Sequence, residues 1–216
     1  MGYDIKNSNN ENIDSTMKNA ENAMYREKTL NQKAINAELL GMLIETLHSR
    51  SLRERKHSEN VSRLSREIAS RLGLPETEVK KLEKAGYLHD IGKIVMDNEI
   101  LDMDKNLTKE EYAAVQKHAL VGYRILNLFE ETMNLAEGVL NHHEKWNGSG
   151  YPKGLKEKEI PLAARIIAVA EYFDALSASA YFGITENEAL AIIEKEAGRK
   201  FDPEVVAAFL KVMKKD

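Results

Sequence analysis

The chain has 216 residues, of which 43% are hydrophobic and 31% charged, with a net charge of −4 and no cysteine. The apolar share excludes a wholly disordered chain, and the lack of any uncharged apolar run of about 18 residues excludes a membrane span. The missing cysteines exclude disulfides, zinc–thiolate sites and thiol catalysis. The mildly acidic balance argues against DNA binding, and with no signal peptide at the start we expect a reducing, cytoplasmic location.

Apolar periodicity predicts helices from soon after the start of the chain. Residues 1–12 are polar, and helices are predicted over 13–30 and 32–50. The second of these carries an apolar stripe, formed by Ile35, Leu39, Met42, Leu43 and Leu47. Such a stripe fits equally well a face docked on the domain's own core and the seam of a homodimer formed through the N-terminal helices.

The rest of the chain also reads as helical, so the predicted fold class is all-α. Helices are predicted over 51–72, 74–88, from 108 to about 118, 120–129, 133–143, 160–176, 185–197 and from 203 onward. Two of them start with capping boxes, Thr108 with Glu111 and Thr185 with Glu188. Long loops are expected over 89–107 and over the glycine-rich stretch 147–154.

Histidines and acids stand at positions that favour one shared site. Five of the six histidines do so: His57, His89, His118, His142 and His143. His57 lies on the apolar face of its helix, and His89 with Asp90 ends an apolar helix at a glycine, so that both can turn into one cleft. Glu171 and Asp174 are three residues apart in a very apolar helix, where buried acids need compensation. His48 is interpreted as structural or exposed.

Imidazoles and carboxylates without thiolates are typical ligands of a transition metal such as Fe, Mn, Zn or Co. Five imidazoles with two or three carboxylates suffice for two ions. A bridged pair of ions is a hydrolytic device, because it generates hydroxide at neutral pH and stabilises the oxygens of a phosphoryl displacement.

An ordered set of motifs resembles the HD-GYP domain, a branch of the HD phosphohydrolases. It consists of His89-Asp90-Ile91-Gly92-Lys93, His142-His143-Glu144 and Gly150-Tyr151-Pro152, supported by 107–111, 160–166 and 201–203. The resemblance implies an HD-type helical bundle over residues 34–216, preceded by a helical extension. It further implies hydrolysis of cyclic dimeric GMP to pGpG or GMP, with two metal ions that are iron or manganese, with zinc, cobalt or nickel possible.

The same resemblance assigns roles to single residues. It implies that His57, His89 and Glu171 bind one ion and that Asp90 bridges to a second ion. The ligands of that second ion would be His118, His142 and His143. Lys93 would contact a substrate phosphate, Gly150 and Tyr151 would lie near the substrate, and Asp174 would support the ligands without binding metal itself.

Three positions depart from the family's pattern. Glu171 stands where the family usually has aspartate. Arg53 stands where members with three metals carry a glutamate, and Glu54 beside it is predicted on another face of the helix. Ala180 stands where an arginine normally grips phosphate, a loss that weakens substrate binding because a charge-assisted hydrogen bond contributes about 1.5–3 kcal/mol.

Residues 1–33 resemble the end of a GGDEF diguanylate cyclase domain. The resemblance rests on Ala20–Lys28 and on Gly2–Ile5 as a last strand. It suggests the C-terminal piece of a longer GGDEF–HD-GYP protein. The HD-GYP resemblance separately implies that partner GGDEF domains dock on the Gly-Tyr-Pro loop.

Three functions remain open from the sequence. The first is a dinuclear cyclic dimeric GMP phosphodiesterase. The second, favoured by Glu171, Arg53 and Ala180, is an inactive module that acts as a dinucleotide receptor or interaction domain. The third keeps the metal chemistry but uses another cyclic dinucleotide or a nucleotide as substrate.

Overall fold

The computed structural model describes residues 13–101, 108–178 and 184–214, apart from the side chains of residues 99, 100, 109 and 178. Every regular element in these ranges is helical, which confirms the predicted all-α class. No helix within them is long and apolar enough to cross a membrane. The expectations for Gly2–Ile5, Leu107 and Ala180 lie outside the described residues.

The first helix, α1, is continuous from Ile13 to Arg50. The prediction of two helices separated near residue 31 is therefore wrong, because that stretch contains no glycine or proline to end the first one. The chain divides into two compact units between Leu43 and Ile44. In the first unit the stripe residues Ile35 and Met42 are 50% and 60% exposed. The predicted domain boundary after residue 33 stays a prediction.

The second unit holds the remaining helices. They are α2 (Leu52–Arg71), α3 (Glu76–Leu88), α4 (Asn98–Leu101), α5 (Lys109–Asn127), α6 (Ala136–Leu140), α7 (Leu162–Ala178), α8 (Glu186–Lys195) and α9 (Pro203–Lys214). Short 3-10 helices cover Ile91–Val95, Met133–Leu135 and Glu157–Glu159. Helix α2 packs against α3, α7 and α9, and α5 packs against α6 and the first 3-10 helix.

The core of this unit lies around α2. Val61 and Ile68 on α2, Ile166 and Ile167 on α7 and Phe209 on α9 are fully buried. Their burial fixes which face of α2 and α7 points inward, because helical residues three and four apart share a face. The polar residues on these same faces, His57 and Asp174, are thereby held at the edge of the core.

The predicted starts of two helices are confirmed in detail. Thr108 with Glu111 and Thr185 with Glu188 both form complete capping boxes. The predicted end of a helix at His118 is wrong, because α5 continues without interruption to Asn127. The predicted helix 133–143 instead ends at Leu140, so His142 and His143 lie in the turn that follows α6.

Candidate metal centre

The histidines and acids that the sequence singled out come from five separate segments of the second unit. His57 is on α2, His89 and Asp90 follow α3, His118 is on α5, His142 and His143 follow α6, and Glu171 and Asp174 are on α7. Six of these residues form two groups of three, and within each group one ligand atom from each residue lies within 4.8 Å of the others. One group is mixed (His57, His89, Glu171), and the other is all-imidazole (His118, His142, His143).

The hydrogen bonds of the rings fix which nitrogen faces the site. The Nδ1 atoms of His89, His118 and His142 lie at hydrogen-bond distance from the backbone carbonyls of Gly86, Val115 and Val139. A carbonyl only accepts, so each Nδ1 carries the proton and donates. When the ring is neutral, its Nε2 is then left with a free lone pair, which is the form of imidazole that binds a metal.

The all-imidazole group brings such lone pairs close together. The Nε2 atom of His118 is 3.2 Å from the Nε2 atoms of both His142 and His143. For His118 and His142 both Nδ1 protons are already donated, so the two facing lone pairs repel each other unless a cation lies between them. Nitrogens that share one ion at about 2.1 Å each are separated by about 3 Å, which fits this spacing.

Protonation is a poor alternative to a metal ion in this group. Burial lowers the pKa of His142 to about 4, and it also lowers the pKa values of His118 and His143. All three rings are therefore neutral at pH 7, because removing them from water disfavours the charged form. Neutral, converging imidazoles are suited to hold a divalent transition metal.

Asp90 lies between the two groups and faces both. Its Oδ1 is 3.2 Å from Nε2 of His118, and its Oδ2 is 3.1 Å from Nε2 of His89 and 3.7 Å from Nε2 of His57. Burial opposes its charge, but His89 and Lys93 outweigh that effect and keep the pKa of Asp90 well below its usual range. The carboxylate is thus an anion positioned to bridge.

Buried polar atoms at this point lack hydrogen bonds within the described residues. They are Nε2 of His89 and Oδ1 of Asp90, whereas Oδ2 of Asp90 lies 2.7 Å from Nζ of Lys93. Leaving a buried polar group unsatisfied costs about 1–3 kcal/mol, more when the group is charged. Together with the nitrogen and oxygen donor set, these atoms fit divalent metal ions.

Lys93 is enclosed by two carboxylates. Its Nζ is 3.0 Å from both Oε1 and Oε2 of Glu54 and 2.7 Å from Oδ2 of Asp90. Burial lowers its pKa, but the two carboxylates raise it more, so Lys93 stays protonated. Glu54 does lie on another face than the exposed Arg53, but it is buried and belongs to this site. Its spacing of three residues from His57 could have indicated so.

Asp174 acts on His57 from the far side of the ring. Its Oδ2 accepts a hydrogen bond from Nδ1 of His57 at 2.6 Å, and its Oδ1 accepts one from Asn60 at 2.7 Å. The ring is thereby held with Nε2 toward Asp90, as carboxylate partners of metal-binding histidines commonly do. Asn60 was missed by the sequence analysis, although it is three residues beyond His57 on the same helix face.

Glu171 reaches toward both groups. Besides its place with His57 and His89, its carboxylate oxygens are 3.9 Å from Nε2 of His142 and from Nδ1 of His143. The extra methylene relative to aspartate gives the carboxylate this reach. The structure therefore brings together all seven residues for which metal binding was predicted.

A glycine allows α5 to approach the Asp90 segment. A Cβ atom on Gly92 would overlap the carbonyl oxygen of His118 and would lie 2.5 Å from the backbone nitrogen of Gly122. No side chain fits there, so Gly92 sets the short distance between His118 and Asp90.

The glycine-rich loop packs directly on the all-imidazole group. Tyr151 stacks on His143 with ring centroids 4.8 Å apart, and burial followed by the charge of Glu171 raises its pKa. A Cβ on Gly150 would overlap the backbone of Glu144, so glycine is required for packing at this position. Glu144, to which no role was assigned, accepts backbone hydrogen bonds from Lys153, Gly154 and Leu155 and holds the loop in place.

The sixth histidine lies outside both groups. His48 is buried and its Nε2 is 3.3 Å from Oγ of Ser58, while its ring contacts Tyr87 edge-on. This agrees with the structural role that was one of its two predicted interpretations.

Comparison with known proteins places this geometry in context. The HD domain family model matches residues 41–205. A cyclic di-GMP phosphodiesterase of Thermotoga maritima is 41% identical over 181 residues, which are 82% of this chain and 48% of that protein. A 3'3'-cGAMP-specific phosphodiesterase of Vibrio cholerae is 34% identical over 80% of this chain and 34% of its own length.

The fold has counterparts among solved structures. An HDG"Y"P protein from Bdellovibrio bacteriovorus superimposes with a TM-score of 0.62 at 24% identity, over 74% of this chain and 52% of that one. At this identity the likeness concerns the fold. The chain spans less than half the length of the two curated relatives.

Proposed function

The chain belongs to the HD domain family, and on that premise we propose that it is a metal-dependent phosphodiesterase that hydrolyses cyclic dimeric GMP to pGpG or GMP. The observation that carries the proposal is the pair of three-ligand groups with Asp90 between them. Bound divalent cations would offset the charge of a phosphodiester and lower the pKa of water, which is the chemistry that such a hydrolysis needs.

The residues of the chain prepare the site for that chemistry. His118 and His142 present neutral nitrogens of fixed orientation, and Asp90 supplies the anion that both groups share. Lys93, kept protonated beside Asp90 and Glu54, offers a cation for a substrate phosphate. Tyr151, stacked on His143, bounds the space in which the substrate would lie and excludes water from it.

The substrate class is supported by the names of the relatives, which are phosphodiesterases for cyclic di-GMP or for 3'3'-cGAMP. Because both kinds of relative match, hydrolysis of a different cyclic dinucleotide is the second candidate function. Discrimination between them depends on the groups that contact the bases, since the phosphates and the riboses are shared.

We further propose iron or manganese as the two metal ions, because imidazole and carboxylate ligands without thiolate suit them. Zinc, cobalt and nickel remain candidates for the same donor set. Partner GGDEF domains would dock on the loop around Gly150 and Tyr151, and a homodimer would form through α1, where Ile35 and Met42 are exposed. A reducing cytoplasmic location is supported by the lack of cysteine.

A product assay tests the activity. The protein is purified without air, loaded with Mn(II) or Fe(II) and given cyclic di-GMP or 3'3'-cGAMP in separate reactions, with products resolved by chromatography. We expect linear product, absent with the Asp90→Ala variant. Tight binding of cyclic di-GMP without any product would instead support the receptor function, and product in the Asp90→Ala control would refute the dinuclear site.

A further inference from the structure

A cavity of about 480 Å³ lies beside the mixed group, between α2 and α7. Two exposed cations, Arg53 and Lys56, line it together with His57 and Glu171. We propose that Arg53 and Lys56 form a second phosphate subsite. While one phosphodiester of a cyclic dinucleotide is cleaved at the metal centre, this subsite binds the other one. The inference rests on the proposed function, since it needs the cleaved phosphodiester to lie at the metal centre.

The acidic residues that line the cavity are less exposed than Arg53 and Lys56. The carboxylates of Glu54 and Asp174 are buried, at 5% and 6% exposure, whereas Arg53 and Lys56 are exposed. Glu54 accepts hydrogen bonds from Lys93, and Asp174 accepts them from His57 and Asn60. These two acidic side chains are thus occupied by partners inside the cavity, and Arg53 and Lys56 make its solvent-exposed entrance positively charged.

Helix geometry places Arg53 beside both His57 and Lys56. Arg53 is four residues before His57 and three before Lys56, about one turn of α2 from each, and all three line the cavity. Residues one turn apart lie about 5–6 Å from each other at their Cβ atoms, and long side chains extend that range. A ligand bound at the metal centre would therefore extend past both cations.

The chemistry of a cyclic dinucleotide matches this arrangement. It carries two phosphodiesters in one ring, each with one negative charge, so that one at the metal centre leaves a second anion nearby. Arginine binds phosphate with two parallel hydrogen bonds, and lysine adds a point charge. Because the whole chain has a net charge of −4, a local basic mouth also favours the approach of an anionic substrate.

The test compares substrates with two phosphodiesters and with one. The double variant Arg53→Ala/Lys56→Ala and the control Arg63→Ala, an exposed α2 residue paired with Glu67, are assayed with Mn(II) on cyclic di-GMP and on bis(p-nitrophenyl) phosphate. We expect the double variant to raise KM for cyclic di-GMP about tenfold to a hundredfold, a much larger change than for the single diester. The control should not shift the ratio of the two KM values.

Other outcomes overturn the subsite. An equal loss on both substrates would mean a general electrostatic effect on the metal centre, and an unchanged KM would mean that the cations do not touch the ligand. If the unaltered protein hydrolyses neither substrate, the proposed function fails, and calorimetric titration of Mn(II)-loaded protein with cyclic di-GMP decides the subsite. There the double variant must bind at least about tenfold more weakly than the Arg63→Ala protein.

Discussion

The two ligand groups differ in chemistry and in what surrounds them. The mixed group contains a carboxylate, and its members His57 and Glu171 line the cavity, whereas none of the three residues of the all-imidazole group lines it. The rings of the mixed group are oriented partly by the Asp174 side chain, while His118 and His142 are oriented by backbone carbonyls.

This difference indicates which of the two ligand groups can change its geometry after a substitution or on substrate binding. A ligand held by a backbone carbonyl of its own segment is fixed by the fold, because the carbonyl position follows from helix geometry. A ligand held by another side chain can be retuned by a single substitution. We therefore expect the all-imidazole group to be the more rigid half, and the mixed group to govern the response to substrate and to changes in ligand length.

The largest effect is expected from removing the anion that both groups share. Asp90→Asn should lower kcat with cyclic di-GMP at least about a thousandfold, which corresponds to about 4 kcal/mol of lost transition-state stabilisation. Asp97→Asn, an exposed carboxylate nearby, is the matched control and should leave kcat unchanged. Circular dichroism checks that both variants fold, and substantial turnover by the folded Asp90→Asn protein would contradict a shared bridging role.

Removing one imidazole ring, from either group, should cause the loss of one metal ion and leave the other bound. His118→Ala and His57→Ala are each expected to reduce bound Mn(II) from about two per chain to about one, with a loss of at least about a hundredfold in metal affinity at the altered group. Metal content is measured by mass spectrometry of dialysed protein. His48→Ala, which alters a buried histidine outside both groups, should keep both ions, and loss of both ions in either single variant would show that the groups do not bind independently.

The two groups also show which parts of the site could be predicted from the sequence. The five histidines, Asp90 and the carboxylates of α7 could be predicted because their motifs and spacing are local. Their division into two groups rested on a resemblance, since positions as distant as His57 and Glu171 meet only through the packing of α2 against α7.

Some partners in the site could not be predicted because they follow from exact side-chain direction. The spacing of Glu54 from His57 places it on the side of the site, but its pairing with Lys93 depends on the packing of α2 against the segment that follows α3. The close approach of α5 at Gly92 gave no signal of its own, because a glycine after His-Asp fits a simple turn equally well. Interruptions were wrongly predicted near residue 31 and at His118, where no glycine or proline stands and α1 and α5 continue.

Weakening the side chain that orients His57 should affect only the mixed group. Asp174→Asn is expected to lower metal affinity there about tenfold to a hundredfold, because a neutral amide supports the imidazole less than a carboxylate does. Competition with a metal-binding dye would show one weakened site and one unchanged site. Asp202→Asn, a buried carboxylate paired with Arg165 away from the centre, is the control. Equal weakening of both sites would contradict the conclusion that the Asp174 side chain orients a ligand of the mixed group only.

One histidine from each group, His142 and His89, should have its pKa shifted in opposite directions in metal-free protein. Burial lowers the pKa of His142 to about 4, so its stabilising contribution is present above pH 6.5 and is lost as the pH falls toward 4. For His89 burial is outweighed by Asp90, which raises the pKa to about 9, so its contribution is present below pH 6.5 and is lost as the pH rises toward 9.

Thermal melts after chelation should therefore give the highest Tm near pH 6.5, with a decline on either side. His142→Gln should flatten the acid side and His89→Gln the alkaline side. A metal-free protein whose Tm changes in one direction only across this range would contradict the assignment of opposite shifts.

The smallest effect is expected where the chain departs from the usual aspartate. Glu171→Asp shortens the side chain by one methylene and keeps the charge, so we expect both ions to stay bound and kcat to stay equal or rise severalfold. Glu171→Gln keeps the length and removes the charge, and it should weaken metal binding at the mixed group.

Together the two variants distinguish the effect of side-chain length from the effect of the negative charge at position 171. If Glu171 binds metal through its carboxylate, charge matters more than length, and the glutamine variant is the more damaged of the two. If Glu171→Asp loses metal while Glu171→Gln keeps it, the longer side chain serves by its reach toward His142 and His143, and its placement in the mixed group is wrong.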